Sequence, residues 1–400
     1  MCEGPLKGAL SEKWNNMNWM LHRLKGDPVI WLIVLVLAVF SVLAVYSSTG
    51  SLAYRFHDGN TEYYLVRHFI ILAFGLLVLF GAHMIHYKYY SRLSQLLLFI
   101  SVPLLAITLF IGQDVHDAQR WLTLPMLNLT FQPSDLAKLA MIMFLARMLS
   151  KKQDVVKDFR KTFLPLLLGI ITVCLLIAPA DLSTATLLFV TCLILMFIGR
   201  VNMKHMGVFI LAGTLAFSAL IGLFSMTSYE GRMATWENRI ESFFAEDQDS
   251  YQNQQAKIAI AEGGIIGKGP GNSTQRNLLP NPFSDFVYAI IIEEYGMIGG
   301  AFVLFLFLLL LYRTIMIVVK SPRAFGAFLS FGLALSLVIQ AIVNMAVSVH
   351  LLPVTGLVLP FLSMGGTSLI FTCVAFGIIL SVSRDIEENE TEPVENTASA

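Results

Sequence analysis

PVIWLIVLVLAVFSVLAVYS, residues 28–47, is twenty residues without a single charge. A helix needs about 20 mostly apolar residues to cross a bilayer, so this run reads as a span. It is too long for the core of a signal peptide and no small-residue cleavage motif follows it, so it is expected to stay as an anchor. Nine further runs follow, near 68–86, 93–112, 135–149, 163–179, 183–199, 206–226, 288–314, 325–347 and 367–383. The composition agrees: 56% of the 400 residues are hydrophobic, 14% are charged, and the mean hydropathy is +0.70. Soluble domains carry roughly 25% charged residues, so a soluble enzyme and a disordered chain are both excluded. Lys+Arg and Asp+Glu number 27 each. That balance lacks the basic excess of a nucleic-acid binder. The expected fold class is an all-α polytopic membrane protein of about ten transmembrane helices. A segment 1–27 precedes the membrane domain 28–384, and residues 385–400 form an acidic tail expected to be disordered and solvated.

The basic residues set the orientation. With the N-terminus inside, 18 Lys and Arg fall in cytoplasmic segments, 8 fall outside, and Lys138 is left within a span. Both termini are therefore expected in the cytoplasm. The outer side then holds a long loop, about 227–287, a shorter one over 113–134, and the uncharged segment 348–366. The Pro and Gly content of that last segment disfavours a regular helix and suggests re-entry against other parts of the protein. Cys2, Cys174, Cys192 and Cys373 lack CxxC spacing, which gives neither a zinc site nor a disulfide framework.

Charges inside an apolar chain are the candidates for chemistry, because lipid cannot solvate them. Asp135 and Lys138 lie three apart, on one helix face, where they can pair. The pair fits either a structural ion bridge or an anion or metal site just below the outer surface, and Ser134 or Asp135 can cap the helix. Glu293 and Glu294 must face protein or a wet cavity. Asp285 stands where the long loop meets the eighth span. It reads either as a helix N-cap or as a carboxylate whose partial desolvation suits it to general-base work. Glycines 263, 264, 267, 269 and 271 superficially suggest a phosphate cradle, but GxxxxGK[ST] is absent. They read better as a tight surface turn, with a lipid or sugar contact as the alternative. Asp181, Asn344 and His350 read as inter-helix hydrogen-bonding groups.

The order of these motifs resembles the SEDS family of FtsW/RodA-type peptidoglycan glycosyltransferases, over about residues 25–385. The pieces are Gln119-Arg120-Trp121-Leu122, FQPSDLAK at 131–138, Ala180-Asp181-Leu182-Ser183-Thr184, and the Gly-rich stretch from Gln255 to Gln275. LLPNPFSDFVYAIIIEEYGMIGG at 278–300 and HLLPVTGLVLPFLSMGGTS at 350–368 complete the set. Phe283 and Ser284 stand where the family has His-Thr, Asp135 replaces a Glu, and Met364 replaces a Tyr. The resemblance implies polymerisation of lipid II at the outer face of the bacterial cytoplasmic membrane. It implies Asp285 as the catalytic residue and Arg120, Lys138, Asp135, Gln132, Arg239 and Ser363 as substrate-binding candidates. Expected partners are a class B penicillin-binding protein (the transpeptidase), other divisome proteins and membrane lipids, with no nucleic acid. A divalent cation, Mg or Mn, is compatible with a pyrophosphate leaving group, though the sequence offers no dedicated oxygen cage for one. Pro360–Ser368 is closer to the division branch and Val354-Thr355-Gly356 to the elongation branch; overall similarity favours division and a septal location. A lipid II flippase and a non-catalytic scaffold are the competing classes.

Overall fold

The computed structural model describes residues 25–50, 61–111, 113–115, 118–124, 129–226, 251–280 and 282–398. Ten helices stand at the ten expected apolar runs. They are α1 Pro28–Ser48, α2 Thr61–Met84, α3 Lys88–Ile111, α4 Pro133–Lys151, α5 Leu164–Ile177, α6 Leu182–Ile198 and α7 Met203–Met226, followed after an extramembrane helix α8 Tyr251–Gly263 by α9 Val287–Lys320, α10 Ala324–Ser348 and α11 Thr367–Ala398. Among the described residues, seven helices are long and apolar enough to cross a membrane. This is a multi-pass membrane protein.

Burial sorts the helices into an inner and an outer set. α10 and α11 are 67% and 72% buried over their apolar stretch, against 22% for α3. α4 is not among the seven, because it carries Asp135, Lys138 and Arg147. Neighbours shield those charges instead: α4 packs on α3, α5, α6, α10 and α11, and Ala137, Ala140, Met141, Met143 and Leu145 on it are completely buried. A charged helix is tolerable at membrane depth only in such a setting.

Local chemistry explains most helix ends. Asp27 caps α1 by accepting from Val29 N (2.9 Å), and Pro28 follows at the first helical position, where its missing N–H costs nothing. The second oxygen of Asp27 pairs with Arg313 near the end of α9, Nη2 at 2.6 Å. Asp181 caps α6 through Thr184 N (3.0 Å). α4 begins differently from the expectation: its cap position is Gln132, with no side-chain cap bond, and Pro133 leads the helix. Ser134 and Asp135 therefore sit inside the first turn, where Asp135 complements the helix dipole.

A small sheet accompanies the helices: β1 Gln113–Val115, β2 Ala118–Leu124 and β3 Leu129–Phe131 form an antiparallel meander in the order β1-β2-β3. Leu122 pairs with Phe131 and Leu124 with Leu129. In a connection between α3 and α4, short β-rich stretches such as Trp121-Leu122-Thr123 find partners only in their own hairpin neighbours. α11 runs on into the acidic tail, through Ala398. The first turn past the membrane is tied down by His86 to Asp385 (2.9 Å), Gly26 N to Glu387 (2.6 Å) and Lys25 to Glu388 (3.3 Å). Burial beside Asp385 pushes the Tyr87 hydroxyl up to about 12.

Candidate active site

The site is assembled at the end of the bundle that carries α8. Between α10 and α11 the chain runs from 349 to 366 without regular structure, yet Leu357, Leu359, Phe361, Leu362 and Ser363 are buried. Phe361 takes φ +70, a left-handed conformation that costs a bulky residue about 1–3 kcal/mol. Its carbonyl accepts from Ser41 Oγ of α1 (2.7 Å), whose oxygen in turn lies 2.9 Å from His68 Nε2 of α2, and its ring meets Phe376 edge-on. Two outer helices thus hold the re-entrant segment in one shape.

That segment grips the turn that holds Asp285. Ser363 Oγ donates to Ser284 O (2.7 Å) while accepting from Leu359 N (2.8 Å), and Met364 N donates to Phe283 O (2.9 Å). From α10, Asn344 Nδ2 donates to both Asp285 O (2.9 Å) and Leu357 O (2.6 Å). A small satellite core beneath, Ala256, Ala259, Leu279, Phe286, Ala289 and Ile290, seats α8 against the start of α9. The Asp285 carboxylate is half-buried and accepts from Ser284 Oγ (2.9 Å). It does not cap α9: the cap position is Phe286, with no side-chain bond to the helix. The N-cap position of α9 is thus Phe286 and not Asp285. With one bond given and one accepted, Ser363 Oγ ties the re-entrant segment to the turn that holds Asp285.

Lys138 and Asp135 form the expected pair, Nζ to Oδ1 3.3 Å, with their side chains 14% and 5% exposed. Lys138 also donates to Gln340 Oε1 of α10 at 2.8 Å. Gln340 Nε2 continues to Val358 O (2.9 Å), one residue from the carbonyl that Asn344 holds. The other oxygen of Asp135 is buried without a partner, as is Ser336 Oγ. Both border a cavity of about 20 Å³ with Lys138, Ser368 and Thr372, room for about one water. Gln132 Nε2 donates to Ser134 Oγ (3.0 Å), and its backbone N–H reaches Thr367 Oγ1 (3.4 Å). Arg120 belongs to β2, and only its backbone is described. Arg239 lies outside the described residues.

The Gly-rich stretch has a role that its sequence does not announce. α9 breaks at Gly296 (φ +70, ψ −175), so two helical hydrogen bonds are missing there. Residues 264–269 replace both. Met297 N donates to Gly264 O (2.9 Å) and Ile298 N to Ile265 O (3.3 Å), while Glu293 O accepts from Lys268 N (2.9 Å) and Glu294 O from Gly269 N (2.9 Å). The approach is close enough that a Cβ at Gly267 would stand 2.3 Å from Glu294 O. Glu293, fully buried, accepts from Lys268 Nζ, Ser273 Oγ, Thr274 N, Thr274 Oγ1 and Gln275 N. Glu294 takes Ser47 Oγ and Ser273 N. Lys268 also pairs with Glu262, which raises the ammonium pKa and holds the Glu262 carboxyl below its usual range.

Sequence reasoning missed Gln340 entirely and saw Asn344 only as a generic inter-helix contact. The available signal was their spacing, four apart on one helix face within an apolar run. Among the described residues, no three His, Cys, Asp or Glu side chains converge as metal ligands do. The donor set at Asp285, one hydroxyl beside one carboxylate, does not make a cage for a divalent ion.

The chain matches the FtsW/RodA/SpoVE cell cycle protein family over residues 27–388. It belongs to that family. It is 34% identical to stage V sporulation protein E of Bacillus subtilis, covering 90% of this chain and 97% of that protein. It is 35% identical to the probable peptidoglycan glycosyltransferase FtsW of Trichlorobacter lovleyi, covering 90% and 94%. The fold superposes with TM-score 0.65 and 26% identity on a chain of a peptidoglycan synthase complex that coordinates polymerization and crosslinking, covering 90% and 98%. For this family member, the expectations of a SEDS membership and a polytopic helical fold are met.

Proposed function

We propose that this family member is a peptidoglycan glycosyltransferase that polymerises lipid II, with Asp285 as general base. The observation that carries the reading is the Asp285 turn. Its backbone is gripped from two directions, the cap position of α9 is Phe286, and Asn344 and Gln340 link the turn to Lys138 through the adjoining carbonyls of Leu357 and Val358. Asp285 takes the proton from the GlcNAc 4-hydroxyl of the acceptor. That oxygen bonds to the anomeric carbon of the donor MurNAc with inversion, the bond from that carbon to the pyrophosphate oxygen breaks, and undecaprenyl pyrophosphate leaves with the electron pair. The proton on Asp285 then passes to solvent. The leaving group is strongly anionic, so preplaced cations lower the barrier. Lys138 is the one whose side chain is described, and Arg120 and Arg239 are the further candidates. Asp135 and Gln132 border the same end of α4. No step is routed through a metal ion.

This reading places both termini in the cytoplasm and the site at the outer face. It assigns the chain to septal synthesis with a class B penicillin-binding protein and other divisome proteins. Support comes from the Pro360–Ser368 stretch and from the FtsW name of its Trichlorobacter relative. One observation favours a flippase: α9 is discontinuous, as transporter helices often are. Its break, however, is closed by the 264–269 loop.

The test is reconstitution of purified protein with lipid II, with and without the transpeptidase partner. Glycan strands mean polymerase, leaflet exchange without strands means flippase, and neither means scaffold. Asp285→Asn should lower polymerisation by about 10²- to 10⁴-fold with an unchanged unfolding temperature. A variant polymerising at the wild-type rate overturns the assignment.

A further inference from the structure

We propose that Gln340 is the positioning residue for Lys138, orienting its ammonium toward the pyrophosphate and linking it to the Asp285 turn; this rests on the reading of Lys138 as a leaving-group cation. The geometry is specific. Of the two groups that Lys138 donates to, Gln340 Oε1 is nearer (2.8 Å) than Asp135 Oδ1 (3.3 Å). The Gln340 amide is fixed at its other end, where Nε2 donates to Val358 O. A flipped amide would set its NH2 against the ammonium and its oxygen against a carbonyl, two repulsive contacts in a site where Gln340 is only 4% exposed. One turn along α10, Asn344 Nδ2 donates to both Leu357 O and Asp285 O. Two amides on one helix face thus read two successive carbonyls, 357 and 358. A slip of the re-entrant segment by one residue would break both contacts at once.

Few side chains can take this place. The group must accept from an ammonium and donate to a carbonyl at the length of Gln340. Glutamate accepts but cannot donate, and methionine does neither strongly. A lysine ammonium has three N–H bonds. Two are directed at Gln340 and Asp135, and the third remains for an anionic oxygen. Gln340→Glu adds a negative charge beside the cation while keeping the shape. Gln340→Met removes both hydrogen bonds without adding charge. The two variants therefore separate electrostatic positioning from simple packing.

The experiment uses the full-length protein in detergent. It measures Kd for undecaprenyl pyrophosphate, KM and kcat with lipid II, and the unfolding temperature. Gln340→Glu should raise Kd and KM about tenfold or more, with a smaller change in kcat. Gln340→Met should raise them severalfold less, and both should unfold near the wild-type temperature. Unchanged affinities in both variants, or equal losses that follow the unfolding temperature, overturn the inference. Lys138→Met separates the two levels. If it binds undecaprenyl pyrophosphate like the wild type, the reading of Lys138 fails and takes this inference with it. If it weakens binding while Gln340→Glu does not, the assignment of Gln340 alone is wrong.

Discussion

Two lysine–carboxylate contacts, one at each flank of the site, differ in how completely the carboxylate is used. Glu293 beside the break in α9 takes five hydrogen bonds, from Lys268, Ser273, Thr274 and Gln275. Asp135 on α4 takes one long contact from Lys138, and its second oxygen has no partner. A fully hydrogen-bonded buried carboxylate stabilises one geometry and has nothing left to offer a substrate. A half-satisfied one retains an unfavourable desolvation term that a water or substrate group can relieve. The sequence marks both carboxylates as charges that lipid cannot solvate. Their partners sort them into a splint and a working site.

The sharpest way to break this comparison is Glu293→Ala. It leaves Lys268 and four other donors facing an empty place. Removing one partner of a buried pair costs about 3–5 kcal/mol, and partial exposure of Lys268 puts the expectation near the low end, about 3 kcal/mol. Thermal unfolding in detergent should show the loss, while the folded fraction keeps its kcat. Next in size is Gly267→Ala. Gly267 has φ +88 and its added Cβ would press on the Glu294 carbonyl. About 2 kcal/mol of destabilisation is expected, read by the same melt, with hydrogen exchange rising at the amides of Met297 and Ile298. Asp135→Asn should do the opposite of Glu293→Ala. Stability should stay within about 0.5–1 kcal/mol, because the group is only half paired, while polymerisation falls by about tenfold as Lys138 loses its neighbouring charge. A stability loss matching that of Glu293→Ala would erase the distinction between the two.

The smallest effect is with pH. Lys268 holds the exposed Glu262 carboxyl below its usual range, and Glu262 raises the lysine. The carboxylate's contribution is complete above its ordinary pKa and is lost as pH falls through the lowered one. The lysine's contribution is complete below its ordinary pKa and is lost as pH rises through the raised one. Protease sensitivity of the 262–274 loop should thus be flat across neutral pH and rise only in acid or strong alkali. Glu262→Gln should abolish the acid limb. The solvent-exposed position keeps this contribution small.

Much of the architecture was legible in the chain. Helix-forming apolar runs are local, so ten helices could be placed from the hydropathy pattern, seven of them long and apolar enough to cross a membrane among the described residues, and the i, i+3 spacing of Asp135 and Lys138 predicted a contact that forms. The misses share a cause. Ser134 and Asp135 resemble caps, but Pro133 already starts the helix one residue before Ser134. The tail resembles a solvated acidic strip, but His86, Lys25 and Gly26 stand beside it in the fold.

By itself, then, the sequence determined the class of molecule, the place of its apolar helices, and which few charges the membrane would have to tolerate. Hydropathy and helical spacing are properties of neighbouring residues, and they survive without knowledge of the fold. Only the tertiary structure decided what those charges do. Lys138 meets Gln340 across 202 residues of chain, Asn344 meets Asp285 across 59, and the Gly-rich loop repairs α9 through bonds that no local pattern encodes. In a bilayer every buried polar group must find a partner inside the protein, and packing chooses which.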